Sequence, residues 1–277
     1  MLKDYYTIVI HYLAPKRLLT YFAGFMANIE MPSIKNRLIR RFVRVYDVKM
    51  QDAIEENITA YASFNHFFIR HLKSYLRPVA HSRIVSPVDG CVSACGLINE
   101  GKLLQAKGRY YTVEQLLHSQ HADIKHFNEG SFATFYLSPK DYHRIHMPIK
   151  GRLRKMIYIP GRLFSVQPTT ARLIPYLFAR NERVVAFFDT AVGSMAMVLV
   201  GATLVGSIAT AWQGEMKRSR KSWSKEYSSE DITLEKGQEM GYFKLGSTVI
   251  ILFEKVESPE WLQVIRAGSV VQFGQAI

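Results

Sequence analysis

Apolar residues in the first part of the chain recur at the spacing expected for amphipathic helices. After Pro15 they return every three or four positions, at Leu18, Leu19, Phe22, Phe25 and Met26. This pattern predicts a first helix. Pro32 can open a second helix, because a helix makes no use of the N–H groups in its first turn. A third helix is predicted to begin near Ser63 and to end before Pro78.

The second predicted helix has an apolar side and a basic side. Its apolar residues fall together in helical projection, at Ile34, Leu38, Ile39, Phe42, Val43 and Tyr46. The opposite side carries Arg37, Arg40, Arg41 and Arg44. Two interpretations stay open. Either the basic side is solvated over a packed apolar stripe, or it lies on an anionic bilayer, where each cation contributes about 1 kcal/mol.

From Val79 onward, short apolar runs alternate with Gly and Pro, which is the pattern of strands and turns. The clearest runs are Ile84–Val85, Cys91–Val92, Phe132–Leu137 and Met156–Ile159. Short helices are predicted within this part over 112–117 and 170–178. We therefore predict an α+β fold, with a helical N-terminal region, residues 1–78, followed by a β-rich domain, residues 79–277.

The longest stretch without a charged residue, 190–214, approaches the length of a membrane span. Gly, Ser and Thr residues divide it into short pieces. We therefore interpret Val198–Val200 and Leu204–Val205 as buried strands on either side of a turn at Gly201. The first fourteen residues contain no cleavage site of the secretory type.

The composition is that of a folded protein, with 48% hydrophobic, 12% aromatic and 21% charged residues. The formal net charge of +13 suits an anionic partner, either a nucleic acid or an anionic membrane surface. Basic residues cluster between Trp212 and Lys225, where a solvated loop is the default interpretation and contact with nucleic acid or lipid headgroups is the alternative. Cys91 and Cys95 form a single Cys-x3-Cys pair, which is poor evidence for zinc.

Three short stretches carry the residues of greatest chemical interest: Ser86–Gly90, Tyr142–Pro148 and Phe243–Thr248. Together they supply the carboxylate of Asp89, the imidazoles of His143 and His146, and the hydroxyl of Ser247. These are the groups with which an oriented imidazole activates a serine. An unperturbed histidine titrates near ~6.5 and can act as a base at neutral pH. A metal site would need a third ligand that this spacing does not supply, so no metal is predicted.

These groups have two alternative uses. In a hydrolase, Ser247 would remain a serine, but its surroundings lack the Gly-x-Ser-x-Gly pattern of an α/β-hydrolase. In the other use, the Ser247 hydroxyl attacks the carbonyl carbon of Gly246 and turns the peptide bond into an ester. β-Elimination then leaves a dehydroalanine, which hydrolyses to a pyruvoyl group. Glycine at position 246 removes side-chain obstruction and permits the strained backbone that such an attack needs.

Taken together, the motifs closely resemble those of the bacterial type I phosphatidylserine decarboxylases. The matching segments are Ser86–Gly90, Asp141–Pro148, Tyr158–Gly161, Leu163–Val166, Phe178–Arg183, Gly237–Gly241 and Phe243–Thr248. The resemblance extends from the helices near residue 60 to beyond residue 250. The sequence departs from the family pattern at Gln167, where relatives usually carry Asn.

The resemblance implies roles for individual residues. Asp89, His146 and Ser247 correspond to a charge-relay set that cleaves the precursor between Gly246 and Ser247. The products would be a β chain, 1–246, and an α chain, 247–277, which begins with a pyruvoyl group made from Ser247. His143 matches a histidine that assists decarboxylation as acid or base.

The resemblance also implies a substrate and a location. Phe164, Ser165 and Val166 match a substrate-binding segment. The pyruvoyl ketone would form a Schiff base with the amine of phosphatidylserine and accept the electrons released with CO2, a role that PLP fills elsewhere. The product would be phosphatidylethanolamine. The N-terminal region would hold the protein peripherally on the cytoplasmic face of the inner membrane, and a homodimer is implied.

Two competing hypotheses remain at this level. One is an intact Ser-His-Asp hydrolase that acts on a lipid ester. The other is a basic nucleic-acid-binding protein, supported by the +13 charge and the basic stretch after Trp212. The resemblance favours an enzyme with no nucleic-acid partner and no diffusible cofactor.

Overall fold

The computed structural model describes residues 15–106, 108–203, 207–244, 246–255 and 260–277. Parts of two sequence predictions lie outside these ranges. They are the start of the N-terminal helical region, before residue 15, and the short strand at Leu204–Val205.

From residue 15 onward, the N-terminal region contains two long helices and one short one. The helices are α1 Lys16–Asn28, α2 Pro32–Tyr46 and α3 Phe64–Phe68. Pro32 occupies the first turn of α2, as predicted, and Asp47 ends that helix in the left-handed conformation with φ 52°. The Ser63 side chain caps α3 by accepting a hydrogen bond from the His66 N–H.

The prediction of helix throughout this region is wrong between α2 and α3. It is also wrong after Phe68, where the third helix ends and only a 3-10 turn, Ser74–Leu76, precedes Pro78. Residues 47–63 form a 3-10 turn, Met50–Asp52, and irregular loops. The Asn57 side chain accepts hydrogen bonds from both the N–H and the hydroxyl of Thr59. Such local side-chain bonds offer the backbone an alternative to a helix.

The N-terminal helices share a small apolar core of their own. Its buried members are Ala27, Ile39, Val48, Tyr61, Phe64, Phe67 and Phe68. The ring of Phe42 lies edge-on to Phe64, Phe67 and Phe68, with centroid separations of 5.1, 5.8 and 5.9 Å. The apolar side predicted for α2 is therefore packed, while its four arginines remain exposed.

The rest of the described chain is rich in strands. They are β1 Gly90–Leu97, β2 Lys102–Ala106, β3 Arg109–Thr112, β4 Ser131–Leu137, β5 Arg144–His146, β6 Gly151–Ile159, β7 Arg183–Thr190, β8 Gly193–Val200, β9 Ser207–Thr210, β10 Gly214–Glu215, β11 Trp223–Glu226, β12 Thr233–Leu234, β13 Glu239–Lys244, β14 Ser247–Phe253 and β15 Val270–Val271. The helices among them are α4 Val113–Leu117, α5 His121–Ile124, α6 Pro168–Leu173, α7 Leu177–Arg180 and α8 Trp261–Val264. The predicted α+β class is confirmed.

The single helix predicted over 170–178 is instead two helices. α6 ends at Leu173 and α7 begins at Leu177. Pro175 interrupts the helix because it lacks an N–H and disfavours helical geometry at the residue before it. Ile174 is accordingly extended, with φ −98° and ψ 118°.

β14 lies in the middle of the main sheet. Nine strands form this antiparallel sheet within the described residues, in the order β11-β6-β7-β8-β14-β4-β1-β15, with β12 also paired to β6. β14 pairs with β4 from Ser247 to Phe253 and with β8 from Thr248 to Phe253. The last described strands of the fold therefore come from the segment that follows Gly246.

Apolar layers cover both faces of the main sheet. Val249, Ile251 and Phe253 pack into one layer together with Ile145 and Met147. Ile250 and Leu252 pack into the other. Burial on both faces explains why this strand reads as a continuous apolar run rather than as an alternation.

A smaller antiparallel sheet carries the histidine-containing segment. Its order is β10-β9-β13-β5. The chain leaves this sheet at Lys244, the end of β13, and enters the main sheet at Ser247, the start of β14. The Gly246–Ser247 peptide bond thus lies where the chain passes from one sheet to the other.

No helix in the described ranges is both long enough and apolar enough to cross a membrane. The uncharged stretch 190–214 contributes to β8, β9 and β10 in those ranges, in agreement with its interpretation as short strands.

Candidate active site

The Gly246–Ser247 junction combines an unusual backbone with a buried hydroxyl. Gly246 has φ +58°, which lies in the left-handed region that residues with a Cβ rarely adopt. A Cβ built there would meet no described atom within 4 Å. Ser247 is fully buried and faces Leu137 across the β14–β4 pair. Backbone conformation, rather than lack of space, is what calls for glycine at position 246.

His143 is the imidazole that contacts this serine. Its Nδ1 lies 3.5 Å from Ser247 Oγ. The ring stacks on Phe68 of α3 with a centroid separation of 4.2 Å. The N-terminal region therefore forms one wall of the site.

Burial strongly lowers the basicity of His143. Desolvation, with a smaller contribution from the charge of Arg70, lowers its pKa to about 3. The carbonyl groups of Pro139 and Ser138 oppose this shift, but Nε2 has no hydrogen-bond partner among the described residues. The imidazole is therefore neutral at pH 7.

His146 lies in a different environment three residues along the chain. Its Nδ1 is 2.9 Å from the Gly237 carbonyl and its Nε2 is 3.3 Å from the Tyr142 hydroxyl. Because a carbonyl can only accept, Nδ1 carries the proton in this arrangement. The ring stacks on Phe273 at 3.6 Å. Burial lowers the pKa of His146 to about 4, against the opposing effect of the Gly237 carbonyl.

Asp89 is held by an arginine and by the C-terminal segment. Arg77 donates from Nε at 3.0 Å to Oδ1 and from Nη2 at 2.6 Å to Oδ2. The Phe273 N–H donates to Oδ1 at 2.8 Å. The glycine that follows, Gly90, lets β1 approach β4 closely, because a Cβ there would lie 2.5 Å from the Tyr136 carbonyl oxygen.

The structure brings some of the predicted site residues close together. The side chains of Asp89, His146 and Ser247 are not, however, linked by hydrogen bonds in the described conformation. Asp89 and His146 are neighbours through the backbone, since the His146 N–H donates to the Pro87 carbonyl at 2.9 Å. Over the described part of the chain, no hydrogen bond joins Asp89 to His146 or His146 to Ser247. The contact of Ser247 is with His143 instead.

The predicted substrate-binding segment packs in the other apolar layer. Phe164 and Val166 belong to the layer that contains Ile250 and Leu252. By strand alternation, Ser247 lies on the side of Val249, in the opposite layer. Ser165 Oγ accepts a hydrogen bond from the Gln167 N–H.

Cations border the Phe164 ring. Lys16 Nζ lies 4.5 Å from the ring centroid and Arg180 Cζ lies 5.0 Å from it. The Asn181 side chain holds the Phe164 backbone by hydrogen bonds at 3.0 and 2.8 Å. These contacts link the segment to α1 and α7.

Sequence reasoning missed several residues that shape the site. Arg77, Phe68 and Phe273 contact the predicted catalytic groups directly, yet none lies in a motif of its own. Arg77 and Asp89 are twelve positions apart in an irregular segment, so no periodicity indicates the pair. The sequence predicts a helix over the aromatic run of α3, but it does not indicate that Phe68 contacts the site.

The other candidate chemistry does not assemble into a site. In the described ranges, no group of three or more His, Cys, Asp or Glu side chains is arranged to hold a metal ion. Cys91 and Cys95 are free thiols. The aromatic rings of the basic stretch are packed against the protein, since Trp212 lies edge-on to Phe188 and Trp223 stacks on Tyr158.

Comparison with known proteins agrees with this architecture. The sequence model of the family described as phosphatidylserine decarboxylase matches residues 64–277, and a second model, described as PSD, matches residues 7–47. A phosphatidylserine decarboxylase proenzyme of Legionella pneumophila (strain Lens) is 51% identical over 99% of this chain and 98% of its own length. A proenzyme of the same description from Shewanella pealeana is 50% identical, again over 99% and 98%.

Likeness of this extent covers the helical region and the β-rich part alike. The chain therefore belongs to the phosphatidylserine decarboxylase family, whose members are carboxy-lyases. The relatives are described as proenzymes, that is, as precursors of a processed enzyme.

Proposed function

We propose that this chain is a precursor that cuts itself between Gly246 and Ser247 and then decarboxylates phosphatidylserine to phosphatidylethanolamine. The observation that carries the proposal is the junction itself. A glycine in the left-handed conformation precedes a buried serine, and His143 Nδ1 lies 3.5 Å from the serine hydroxyl, beside the position that the pyruvoyl group would take. Family membership supports the proposal, because relatives of this chain are described as proenzymes, that is, as precursors that are processed.

Self-cleavage conserves every atom of the junction until the final hydrolysis. Ser247 Oγ bonds to the Gly246 carbonyl carbon, the C–N bond breaks, and the hydroxyl proton passes through an imidazole to the released amine. Loss of the Ser247 α-proton then expels the Gly246 carboxylate and leaves a dehydroalanine. After tautomerisation, water replaces the nitrogen, ammonia leaves and a pyruvoyl group remains.

The residues around Ser247 fit a pyruvoyl group. The group would occupy the space of the serine and remain anchored at the start of β14, between β4 and β8. His143 would lie beside it. Its ketone would condense with the substrate amine and accept the electron pair that is released with CO2.

We propose that His143 moves the proton in decarboxylation. Its lowered pKa means that it enters the reaction neutral. It can therefore accept only transiently, at Nδ1, the proton that the substrate ammonium releases, and its low basicity favours passing that proton on to the carbon that has lost CO2. The stacking of Phe68 keeps the ring in place and excludes water from it.

We propose that Asp89 and His146 act in self-cleavage, as the relay implied by the resemblance. In the described conformation both side chains already have hydrogen-bond partners. Asp89 accepts from Arg77 and from the Phe273 N–H, and His146 is bonded to the Gly237 carbonyl and the Tyr142 hydroxyl. A relay through His146 therefore needs these contacts to rearrange before the cut. The neutral His146 imidazole is suited to accept a proton once Nε2 is released from Tyr142.

The proposal includes a peripheral location on the cytoplasmic face of the inner membrane. Exposed apolar side chains of α1, namely Leu18, Tyr21, Phe22 and Phe25, and the arginines of α2 support it. Phe164, Ser165 and Val166, bordered by Lys16 and Arg180, are the substrate-binding segment that the resemblance implies. Because Phe164 and Val166 pack in the layer opposite Ser247, the segment would contact a part of the substrate other than the reacting serine moiety. The homodimer stays a prediction, which light scattering of the purified protein would check.

Intact-mass spectrometry combined with a decarboxylation assay tests the proposal. The wild type should give separate masses for 1–246 and for a pyruvoyl-capped 247–277, and should release CO2 from phosphatidylserine. Ser247→Ala should remain one chain of 31.8 kDa and be inactive. Thr248→Val, which removes the next buried hydroxyl along β14, is the matched control and should mature normally.

Two outcomes would overturn the proposal. An uncleaved wild type that hydrolyses lipid esters would favour a Ser-His-Asp hydrolase. A cleaved and active Ser247→Ala would place the cofactor precursor elsewhere.

A further inference from the structure

Arg70 is a buried cation whose hydrogen-bonding capacity is largely unused. Arg70 lies two residues after the end of α3 and is only 5% exposed. Nη2 donates to the Lys140 carbonyl at 3.1 Å, but Nε and Nη1 have no acceptor among the described residues. Leaving charged donors buried and unpartnered is costly. Such a group indicates a site that is completed by an incoming acceptor.

The surroundings of Arg70 place it on the side of the main sheet that holds the catalytic histidine. Its guanidinium lies against the ring of Phe67, 5.2 Å from the centroid, and the next ring, Phe68, stacks on His143. The charge of Arg70 contributes to the lowered pKa of His143. His143 Nε2, another buried nitrogen without a described partner, belongs to the same neighbourhood.

Arg70 also lines a cleft of about 500 Å³, a volume in the range of small-molecule sites. Charges of both signs line it in equal number: Lys49, Arg70, Arg77, Lys140, Asp47, Asp52, Asp89 and Asp141. A purely anionic ligand would meet as many repulsive as attractive groups there. A headgroup that carries an ammonium as well as oxyanions suits such a lining better.

The Arg77–Asp89 pair leaves Arg70, a buried cation of this cleft, without a carboxylate partner among the described residues. Arg77 is bonded through two nitrogens to Asp89. Asp141, a half-buried carboxylate of the same cleft, accepts a hydrogen bond from the Ser138 N–H at 2.7 Å. Neither carboxylate forms a hydrogen bond with Arg70 in the described chain.

We propose that Arg70 binds the phosphodiester of the phospholipid headgroup and so positions the serine moiety for decarboxylation beside His143. This inference rests on the proposed function and adds to it a binding residue in the N-terminal region. A guanidinium matches a phosphodiester, because its planar fork donates two parallel hydrogen bonds to two oxygens.

The phosphodiester is a better ligand for Arg70 than the substrate carboxylate. A cation on the carboxylate would stabilise the ground state and lose its partner as CO2 leaves, which opposes catalysis. The phosphodiester keeps its charge throughout the reaction. Arg70 should therefore bind substrate and product alike, and its loss should weaken both.

Kinetics of Arg70→Lys test the proposal, with dihexanoylphosphatidylserine as substrate and dihexanoylphosphatidylethanolamine as inhibitor. Lysine keeps the charge but not the fork. KM and the inhibition constant of the phosphatidylethanolamine should both rise about tenfold, the loss of one charge-assisted hydrogen bond, while kcat changes less than threefold. Cleavage is checked first by intact mass.

The matched control is Arg183→Lys. Arg183 is equally buried, but its Nε, Nη1 and Nη2 all donate to backbone carbonyls. This variant should have a lower Tm and unchanged KM and inhibition constant. If Arg70→Lys does not mature, Phe67→Leu removes the ring beneath the guanidinium and should raise both constants about threefold.

Three results would overturn the proposal. The first is a rise in KM without a rise in the inhibition constant, which would assign Arg70 to the substrate carboxylate. The second is a fall in kcat with both constants unchanged. The third is a mature variant in which neither KM nor the inhibition constant changes. A wild type that is not cleaved or releases no CO2 would instead refute the proposed function. The two failures are therefore distinguishable.

Discussion

The backbone N–H of Phe273 donates a 2.8 Å hydrogen bond to the carboxylate of Asp89. The two residues lie on opposite sides of the proposed cut at Gly246, Phe273 in the α chain and Asp89 in the β chain. Phe273 also stacks on His146. The environment of the proposed relay is thus built from both products of the cleavage.

The first prediction is that the two chains stay together after cleavage. β14 is paired along its length with β4 and, from Thr248, with β8, so release of the α chain would open the centre of the main sheet and both apolar layers. Size-exclusion chromatography of the cleaved protein should give one peak that contains both chains. Concentrated guanidinium chloride should separate them. Loss of the α chain from the native peak would contradict the described pairing.

The second prediction separates the roles of the two histidines. Asp89→Asn and His146→Ala should slow cleavage, so that intact mass shows uncut precursor after wild type has matured. His143→Ala should be cut but should decarboxylate at least about 100-fold more slowly, the usual cost of losing a positioned proton donor. Maturation is measured by mass, and activity by CO2 release.

The 3.5 Å contact between His143 and Ser247 defines the contrary result. If His143→Ala remains uncut while His146→Ala matures normally, His143 is the base in self-cleavage. The relay would then not include His146.

Much of this site could be predicted from sequence, but not the pairing of its groups. The sequence indicates the reactive groups, because short motifs contain the hydroxyl of Ser247, the imidazoles of His143 and His146, and the carboxylate of Asp89. Their contacts depend on register. β13 pairs with β5 through an irregularity between Glu239 and Gly241. No spacing along the chain reveals this shift of register or which imidazole lies beside the serine.

The fold shows the same division between local and long-range information. The apolar run after Ser247 and the two-sided pattern of α2 predict local structure, because burial imposes periodicity on a strand or helix. The packing of Phe68 on His143 and the pairing of Arg77 with Asp89 join the N-terminal region to the β-rich part. Such contacts depend on how separate elements dock, and single residues without a repeat carry no signal for it.

The third prediction concerns pH. His143 and His146 have folded-state pKa values of about 3 and about 4, below the ordinary 6.5. Between pH 6.5 and 4 the unfolded chain therefore binds protons that the folded chain does not, and the free energy of unfolding falls as pH falls through this window.

Denaturant unfolding of the uncleaved Ser247→Ala protein measures this dependence. Adding His143→Gln should reduce the slope of unfolding free energy against pH by up to about 1.4 kcal/mol per pH unit, the contribution of one proton. His126→Gln, which changes an exposed histidine, is the matched control for the loss of one imidazole. An equal slope in the His143 variant would show that this histidine is not held neutral.

The fourth prediction concerns the membrane. Four exposed arginines lie side by side along α2, and α1 next to it exposes large apolar side chains. Cations near an anionic surface contribute about 1 kcal/mol each. Conversion of Arg37, Arg40, Arg41 and Arg44 to Gln should therefore weaken binding to phosphatidylglycerol vesicles at least tenfold, as measured by co-sedimentation.

A control variant with the same loss of charge shows whether position or net charge matters. Lys217, Arg218, Arg220 and Lys221 lie in the basic stretch between β10 and β11. Their conversion to Gln should change vesicle binding less than twofold if α1 and α2 form the membrane-facing surface. A second arm, Phe22→Ser with Phe25→Ser, should weaken binding to neutral phosphatidylcholine vesicles as well, because it removes apolar rather than electrostatic contact. If the α2 variant and the 217–221 variant lose vesicle binding equally, net charge alone attracts the protein to lipid. The assignment of α2 to the membrane-facing surface would then be wrong.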